Sequence, residues 1–300
     1  MNYIYNIKVK EKENDAIRAS FNELTRKTFG FDFVNWYEAG QWGDFYIPHV
    51  LLDGDKVISN VSVNLMQFDV AGVKKNYIQL GTVMTDEAYQ GKGLNREIME
   101  RILEEYTGKV DGIYLFGNDS VLQYYPKFGF EPSKEYEYYL PAGSLKDVVA
   151  YQLEKVDMQD EKQAKRLYAV MHAYKIEPES VNQNDAMYMS KNVNLFQFWL
   201  GAGYGEHVFY LPETNVYAIV DTEGATLRIC QIFGKEEVDI ARLAKAFGEV
   251  AEVVLGYTPV HKEKFLVREH KEEDCTLFII GENLRNIERE KMMFPVLSHA

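Results

Sequence analysis

Several features that would place the chain in other classes of protein are missing from its 300 residues. Only two cysteines occur, Cys230 and Cys275, which is too few for a disulfide framework and is typical of a reducing cytoplasm. No apolar run approaches the length that spans a membrane, and the N-terminus is too short and too interrupted by polar residues for a signal peptide. We therefore expect a cytoplasmic protein with no membrane partner.

An excess of basic residues is also missing. Lys and Arg number 33 against 46 Asp and Glu, so the formal net charge is −13. An acidic surface argues against binding to nucleic acid and favours a cationic ligand. The six histidines show no ligand spacing with cysteines or carboxylates, so no metal site is expected.

The apolar content is sufficient for two packed domains, because 46% of the residues are hydrophobic and 300 residues exceed one typical domain. A strand pattern at residues 5–9, followed by a helix, recurs from residue 151. The sequence Pro-Ala-Gly-Ser at 141–144, which is typical of a linker, lies between the two copies. We predict domains at 1–143 and 150–300, the second a diverged copy of the first.

The most informative segment of the chain joins a β-branched run ending at Thr85 to an amphipathic helix. Between them lies a turn with two glycines, Gln90-Gly91-Lys92-Gly93-Leu94-Asn95. Free N–H groups at a helix start form an anion site, and glycines allow several of them to converge on one phosphate. A turn of this composition also occurs as a simple tight connection. It is neither a P-loop nor a complete dinucleotide fingerprint.

A second segment contains Asn118, Tyr125, Gly129 and Phe130 with the strand Gly112–Phe116 before it. Together the two segments resemble the GCN5-related N-acetyltransferase (GNAT) superfamily, over about the first half of the chain. The first signature of that family is Gln/Arg-x-x-Gly-x-Gly/Ala, from which this chain departs only at Asn95. The second is an Asn, a Tyr seven residues later and a Gly-Phe pair after it.

The resemblance implies an α+β fold, with a mixed, mostly antiparallel sheet flanked by helices, and acetyl-CoA as cosubstrate. The pyrophosphate would lie on backbone N–H groups after Gln90, and the pantetheine arm would pair with the exposed strand edge. The cofactor residues implied in this way are Val83, Thr85, Gln90, Gly91, Lys92, Gly93, Leu94, Asn95 and Asn118.

Tyr125 occupies the family's usual general-acid position, from which a phenol would protonate the departing thiolate. The alternative is an aromatic side chain that only packs beneath the sheet. Pro126 disfavours helical geometry at Tyr125, so we expect the helix to end there.

The general base and the acceptor amine are less well defined by the sequence. No glutamate occurs in the strand 77–85, and solvent or the free amine itself remain options beside five candidate bases, Glu38, Asp44, His49, Asp86 and Glu87. The aromatic segment 31–46, with Asp32 among its carboxylates, is interpreted either as a wall for a cationic amine or as core.

The second half lacks the two-glycine turn, since Gly234 is followed by Lys-Glu-Glu-Val-Asp239. Carboxylates there would cap a helix and repel a pyrophosphate. Its role is therefore expected to be structural, closing the acceptor cleft or forming a homodimer. The predicted function is acetyl transfer to a primary amine of a small cationic molecule or peptide, with two alternatives left open: a non-catalytic acyl-CoA sensor or scaffold, and transfer of a larger acyl group.

Overall fold

Strands and helices alternate through the first half of the protein, as the apolar periodicity predicts. The computed structural model describes residues 7–9, 11–173 and 184–300. Its first-half elements are β1 (Ile7–Val9), α1 (Asp15–Phe29), α2 (Val34–Glu38), β2 (Tyr46–Asp53), β3 (Lys56–Val70), β4 (Val73–Thr85), α3 (Leu94–Tyr106), β5 (Gly112–Gly117), β6 (Glu131–Ser133) and β7 (Glu135–Pro141).

The second half repeats much of this order. Its elements are β8 (Glu154–Lys155), α4 (Glu161–Ala173), β9 (Met187–Lys191), α5 (Asn194–Gly201), β10 (Val208–Leu211), β11 (Val216–Glu223), β12 (Thr226–Phe233), α6 (Ile240–Lys245), β13 (Glu252–Leu255), β14 (Leu266–His270), β15 (Thr276–Ile280) and α7 (Asn286–Arg289). β11 and β12 form an antiparallel hairpin, which is the structure that the two apolar runs at 216–220 and 226–232 and the polar turn between them predict. The strand predicted at 151–155 is shorter, since only its last two residues pair.

Two sheets of the same strand order contain these strands. The first runs β1-β2-β3-β4-β5-β15-β6 with β9 beside β3, and the second runs β8-β10-β11-β12-β13-β7-β14. In each sheet the fourth and fifth strands are parallel, and the other neighbours are antiparallel. The α+β fold with helix-flanked, mostly antiparallel sheets is confirmed, and the two orders show the duplication.

The two halves exchange one strand each. β15 lies between β5 and β6 of the first sheet, and β7 occupies the corresponding place between β13 and β14 of the second. The predicted boundary between 143 and 150 stays a prediction, but backbone pairing crosses it in both directions. Because each sheet is completed by the other half, separate folding of residues 1–143 would leave a strand position empty.

Opposite faces of the first sheet carry different helices. On β2, Ile47 and Leu51 belong to the apolar cluster that includes Ile98 and Ile102 of α3. The alternate β2 residues Tyr46 and Val50 pack with residues of α1 and α2 instead. This alternation follows from the two-residue period of a strand. Any opening between two strands of this sheet therefore connects the α3 face with the α1 and α2 face.

A third apolar cluster joins the two sheets. Tyr114 of β5 stacks on Phe294 with ring centroids 4.0 Å apart, and Phe68 of β3 contacts the same ring.

None of the helices in the described ranges combines the length and the apolar character that crossing a membrane requires.

Candidate active site

The central feature of the site is a gap between the parallel strands β4 and β5. Their pairing ends at Leu80 and Leu115, although β4 continues to Thr85 and β5 to Gly117. Beyond Leu80, β4 pairs only with β3, so its other backbone edge faces the gap. A cavity of about 1610 Å³ opens there and is lined from both faces of the sheet.

A bulge in β4 lies at the mouth of the gap. The register with β3 shifts between Asn60 and Ser62, and Thr82 opposite has φ +42°. Tyr46 donates to Thr82 Oγ1 over 2.6 Å, and Thr82 donates to Ser62 over 2.7 Å. The Asn60 amide donates to Ser62 and to the Thr82 carbonyl. These buried bonds hold a backbone conformation that a β-branched residue rarely adopts.

The turn before α3 has the geometry that its glycines predict. Gly91 and Gly93 have φ +74° and +78°, and α3 starts at Leu94 with no side chain capping it. Gln90 braces the turn by donating to the Thr85 carbonyl over 3.3 Å. The first N–H groups of a 13-residue helix therefore point at the cavity with the positive end of its dipole behind them.

Asn95, the departure from the family signature, links three elements. Its Nδ2 donates to the Asn60 carbonyl over 3.2 Å, and its Oδ1 accepts from the Tyr124 hydroxyl over 3.1 Å. The residue thus ties the start of α3 to β3 and to the segment after β5. An alanine or glycine could not make these bonds.

Tyr125 lies at the far side of the gap and is only 4% exposed. It packs against Phe130 and Phe278, and burial raises the pKa of its phenol above the usual range. A Cβ on Gly117 would lie 2.9 Å from the Tyr125 ring, so only glycine allows this approach. The expectation that a helix ends at Tyr125 is wrong, because a 3-10 turn, Tyr125–Phe128, begins there and accommodates Pro126 in its first positions.

The predicted cofactor residues converge on the cavity, with one exception. Lys92 does not line it: the side chain donates to the Ala88 carbonyl and lies over the Tyr89 ring. Asn118 caps the following turn, with its Oδ1 accepting from Ser120. Of the predicted site residues, those that line the cavity are Tyr125, Val83, Thr85, Gln90, Gly91, Gly93, Leu94, Asn95 and Asn118.

The five candidate bases do not line the cavity. Lys56, at 2.8 Å, holds the pKa of Asp86 below its usual value, and Asp44 pairs with Lys12. His49 is fully buried in β2. Glu38, at the end of α2, and Glu87, in the turn after β4, are exposed to solvent.

The aromatic segment is core, as one of its two interpretations predicts, and the other, a wall for a cationic amine, stays a prediction. Phe33, Trp36 and Trp42 are at most 5% exposed and pack with Phe21 and Tyr46 as core. Two of the three, Phe33 and Trp36, also line the cavity. The segment is therefore a structural layer whose inner surface is a cavity wall.

The second half supplies a wall of the cavity through residues that the sequence analysis did not identify. Phe198 of α5 contacts Phe33 at 5.4 Å and Trp36 at 5.6 Å between ring centroids, and the Trp36 indole donates to the Asn194 carbonyl. The aromatic residues within 194–201 indicate an apolar surface, but nothing in the local sequence indicates that this surface faces α2. This contact brings the second half over the face of the sheet opposite α3.

Two more lining residues come from the end of the described chain. His299 stacks on Phe116 with centroids 3.8 Å apart, and its carbonyl accepts from the Trp199 indole. Burial lowers the His299 pKa to about 3, so the imidazole is neutral at pH 7. Ala300 follows it beside Gly81 of β4.

Comparison with known proteins agrees with this geometry. A family model described as an acetyltransferase (GNAT) domain matches residues 11–133. Over residues 11–133 the chain is therefore similar to GNAT acetyltransferases. The bulged fourth strand, the open gap and the two-glycine turn all lie within that range, whereas β15 and α5 lie outside it.

Solved structures with the same fold span nearly the whole chain. A conserved protein of unknown function from Enterococcus faecalis V583, titled a probable N-acyltransferase, is 15% identical with a TM-score of 0.58, covering 94% of this chain and 74% of that one. GCN5-related N-acetyltransferases from Anabaena variabilis ATCC 29413 (13% identical, TM-score 0.56, coverage 91% and 72%) and Kribbella flavida (14%, 0.54, 92% and 71%) are similar. These identities show the fold. Among curated proteins none matches significantly.

The corresponding gap in the second sheet is filled by the chain itself. β12 and β13 separate after Ile229 and Leu255, and beyond them the Thr258 carbonyl accepts from Ala186 and the Gly256 carbonyl from Val296. At the helix start after β12, Asp239 caps α6 with its own carboxylate, as predicted. The first sheet thus holds the open gap, and its partner sheet holds a closed one.

Proposed function

We propose that the protein is an acetyl-CoA-dependent N-acetyltransferase that forms a ternary complex with a primary amine. The observation that carries the proposal is the convergence of the uncapped α3 turn, the free edge of β4 and Tyr125 on one cavity. These three features serve the phosphate, the pantetheine and the thiol of one ligand. The GNAT domain match supports the same chemistry.

Cofactor binding is proposed to rest on backbone groups. The pyrophosphate would accept from N–H groups of residues 91–95, which explains why Lys92 can point away and why Asn95 is tolerated. The pantetheine amides would pair with Val83 and Thr85 on the edge that β5 leaves, and Asn118 Nδ2 would donate to the same arm. The Val83 N–H would also stabilise the oxyanion that forms at the thioester carbon.

The transfer itself would proceed by direct attack. The amine nitrogen adds to the thioester carbonyl, the tetrahedral intermediate collapses with cleavage of the C–S bond, and Tyr125 donates its phenolic proton to the thiolate. The proton that the nitrogen loses as the amide forms passes through water to the Tyr125 phenolate and restores the phenol. Burial keeps that phenol protonated until the thiolate forms. Since none of the predicted bases lines the cavity, the ammonium proton would leave to water before attack.

None of the five predicted bases lines the cavity, and this also favours the second candidate, a non-catalytic acyl-CoA sensor or scaffold. Release of free thiol from acetyl-CoA, measured with a panel of primary amines, separates the two. An enzyme releases coenzyme A in proportion to the amine consumed. A sensor binds acetyl-CoA, detected by calorimetry, and releases none above the rate without amine.

The size of the acyl group can be tested in the same assay. Acetyl-CoA, propionyl-CoA and butyryl-CoA would be compared at equal concentration. We expect acetyl-CoA to have the highest kcat/KM. A larger acyl group with a higher value would replace acetyl in the proposal.

A further inference from the structure

The part of the cavity on the α1 and α2 face of the sheet, opposite α3, is here termed the acceptor chamber. Its walls come from both halves of the chain and are mostly aromatic. They include Phe29, Phe31, Phe33, Trp36, Phe198 and Trp199.

The rings of this chamber are packed against one another in tilted and edge-to-face pairs. Phe31 contacts Phe33 at 5.4 Å in a T-shaped arrangement and Phe198 at 5.9 Å. Phe31 is nevertheless 40% exposed and Phe29 is 45% exposed. Rings packed on one side and open on the other offer faces and edges to a planar guest.

Charge is almost missing from the chamber, although the protein carries a net −13. Among the described residues that line the whole cavity, the carboxylate belongs to Asp32 and the permanent cation to Arg96 on the α3 side. Asp32 is already used, since it accepts from the Arg26 guanidinium and from the Val34 backbone N–H. The other polar side chains nearby include the uncharged amides of Asn35 and Gln41.

From these observations we infer that the acceptor is a monoamine with an aromatic or bulky apolar body, of the arylalkylamine type, and not a polycation. The inference rests on the proposed acetyl transfer. A polyamine or aminoglycoside would bring several ammonium groups into a chamber whose lining carboxylate, Asp32, is already paired with Arg26, and burial of unpaired charges is costly.

The same chamber accounts for the missing base. An ammonium that enters apolar surroundings has its pKa lowered, because the neutral amine is easier to desolvate than the cation. Loss of the proton to water then gives the nucleophile directly. A single amine on an apolar body can meet this requirement, whereas a polycation would have to lose several protons.

Steady-state kinetics with two kinds of amine test the inference. 2-Phenylethylamine and tryptamine would be compared with spermidine and a kanamycin-type aminoglycoside. We expect kcat/KM for the aryl amines to exceed that for the polycations by at least about tenfold, the usual effect of filling an apolar pocket. Equal or better turnover of the polycations overturns the inference and leaves the proposed function intact. Release of no coenzyme A with any amine overturns both.

Two substitutions sharpen the test, because each residue is exposed and its loss should leave the fold intact. Phe31→Ala should raise KM for 2-phenylethylamine about tenfold with little change in KM for acetyl-CoA. Asn35→Asp places an isosteric carboxylate in the chamber and should raise kcat/KM for spermidine while lowering it for the aryl amines. Phe209→Ala, a half-buried ring of the second sheet outside the cavity, is the control. Unchanged selectivity in both Phe31→Ala and Asn35→Asp would overturn the inference.

Discussion

The hydroxyl of Tyr124 donates to the amide oxygen of Asn95 over 3.1 Å, and this bond joins the segment after β5 to the first turn of α3. Asn95 is the residue at which the chain departs from the family signature. Its second bond, to the Asn60 carbonyl, ties the same turn to β3. The Asn95 side chain therefore has a structural role near the site and lies outside the proposed phosphate position.

Asn95→Ala should destabilise the protein while leaving the cofactor affinity nearly unchanged. Two partly buried hydrogen bonds are lost, at about 1 kcal/mol each, whereas the proposed phosphate contacts come from the backbone. Urea unfolding and acetyl-CoA calorimetry measure the two effects. Tyr124→Phe removes one of the bonds and should show about half the loss. A tenfold weaker acetyl-CoA affinity would show that the asparagine side chain itself contributes to binding.

Tyr125→Phe should lower kcat about 10²-fold or more, the usual contribution of a general acid, and leave acetyl-CoA affinity nearly intact. The ring packing against Phe130 and Phe278 is retained in the variant. Tyr124→Phe, one residue away with a half-buried ring, is the matched control. Turnover of Tyr125→Phe equal to wild type would assign Tyr125 to packing alone.

Gly93→Asp should abolish acetyl-CoA binding. The substitution places a negative charge at the start of α3, where the pyrophosphate is proposed to lie, and adds strain at φ +78°. Gly108→Asp is a suitable control, because Gly108 has φ +79°, is exposed, has open space around it and does not line the cavity. Equal binding by both variants would remove the phosphate role of the turn.

How far the sequence predicted the molecule depends on the range of the interactions involved. The α3 helix and the hairpin of β11 and β12 follow from apolar spacing and turn residues close in the chain, and both are present. The turn from Gln90 to Asn95 was also locally encoded. Each of these features could be inferred because its energetics are set within about a dozen residues.

The exchange of β7 and β15 was not predictable in the same way. β7 begins with alternating Glu and Tyr, and β15 is a short, mostly apolar run. Neither pattern specifies a sheet, and the choice depends on pairing with strands more than 100 residues away. The place of α5 has the same origin, since Phe198 meets Phe33 across 165 residues of sequence, 198 − 33. Sequence patterns identify the apolar faces of such elements but do not identify their partners.

Thr82→Val should destabilise the protein by about 2–3 kcal/mol. The hydroxyl of Thr82 accepts from Tyr46 and donates to Ser62, so its loss removes two buried hydrogen bonds and leaves the Tyr46 hydroxyl without this acceptor, while the strained φ of +42° remains. Thr28→Val on the surface of α1 makes the same chemical change outside this network and should cost less than about 1 kcal/mol. Chemical unfolding at pH 7 measures both, and equal effects would mean that the bulge does not depend on the hydroxyl.

Stability should fall as the pH rises from about 5 to 8, with Glu135 as one cause. Burial raises the pKa of Glu135 to about 7, whereas the unfolded carboxyl titrates near 4.5. Between these values the folded state keeps a proton that the unfolded state has released, so folding is favoured at the lower pH. Glu135→Gln should reduce the change in the free energy of unfolding between pH 5 and 8 by about 2 kcal/mol.

Glu137, two residues away on β7, provides a control of opposite sign. Burial opposes its ionisation, but hydrogen bonds from His270 and Arg268 outweigh that and lower its pKa to about 2. The stabilisation of the folded state by ionised Glu137 is therefore present above about pH 4.5 and is lost as the pH falls towards 2. Glu137→Gln should lower the free energy of unfolding at pH 7 and much less at pH 3. Glu135→Gln should not show this pH dependence. Urea unfolding from pH 3 to 8 gives all three curves, and parallel curves for both variants and wild type would contradict these assignments.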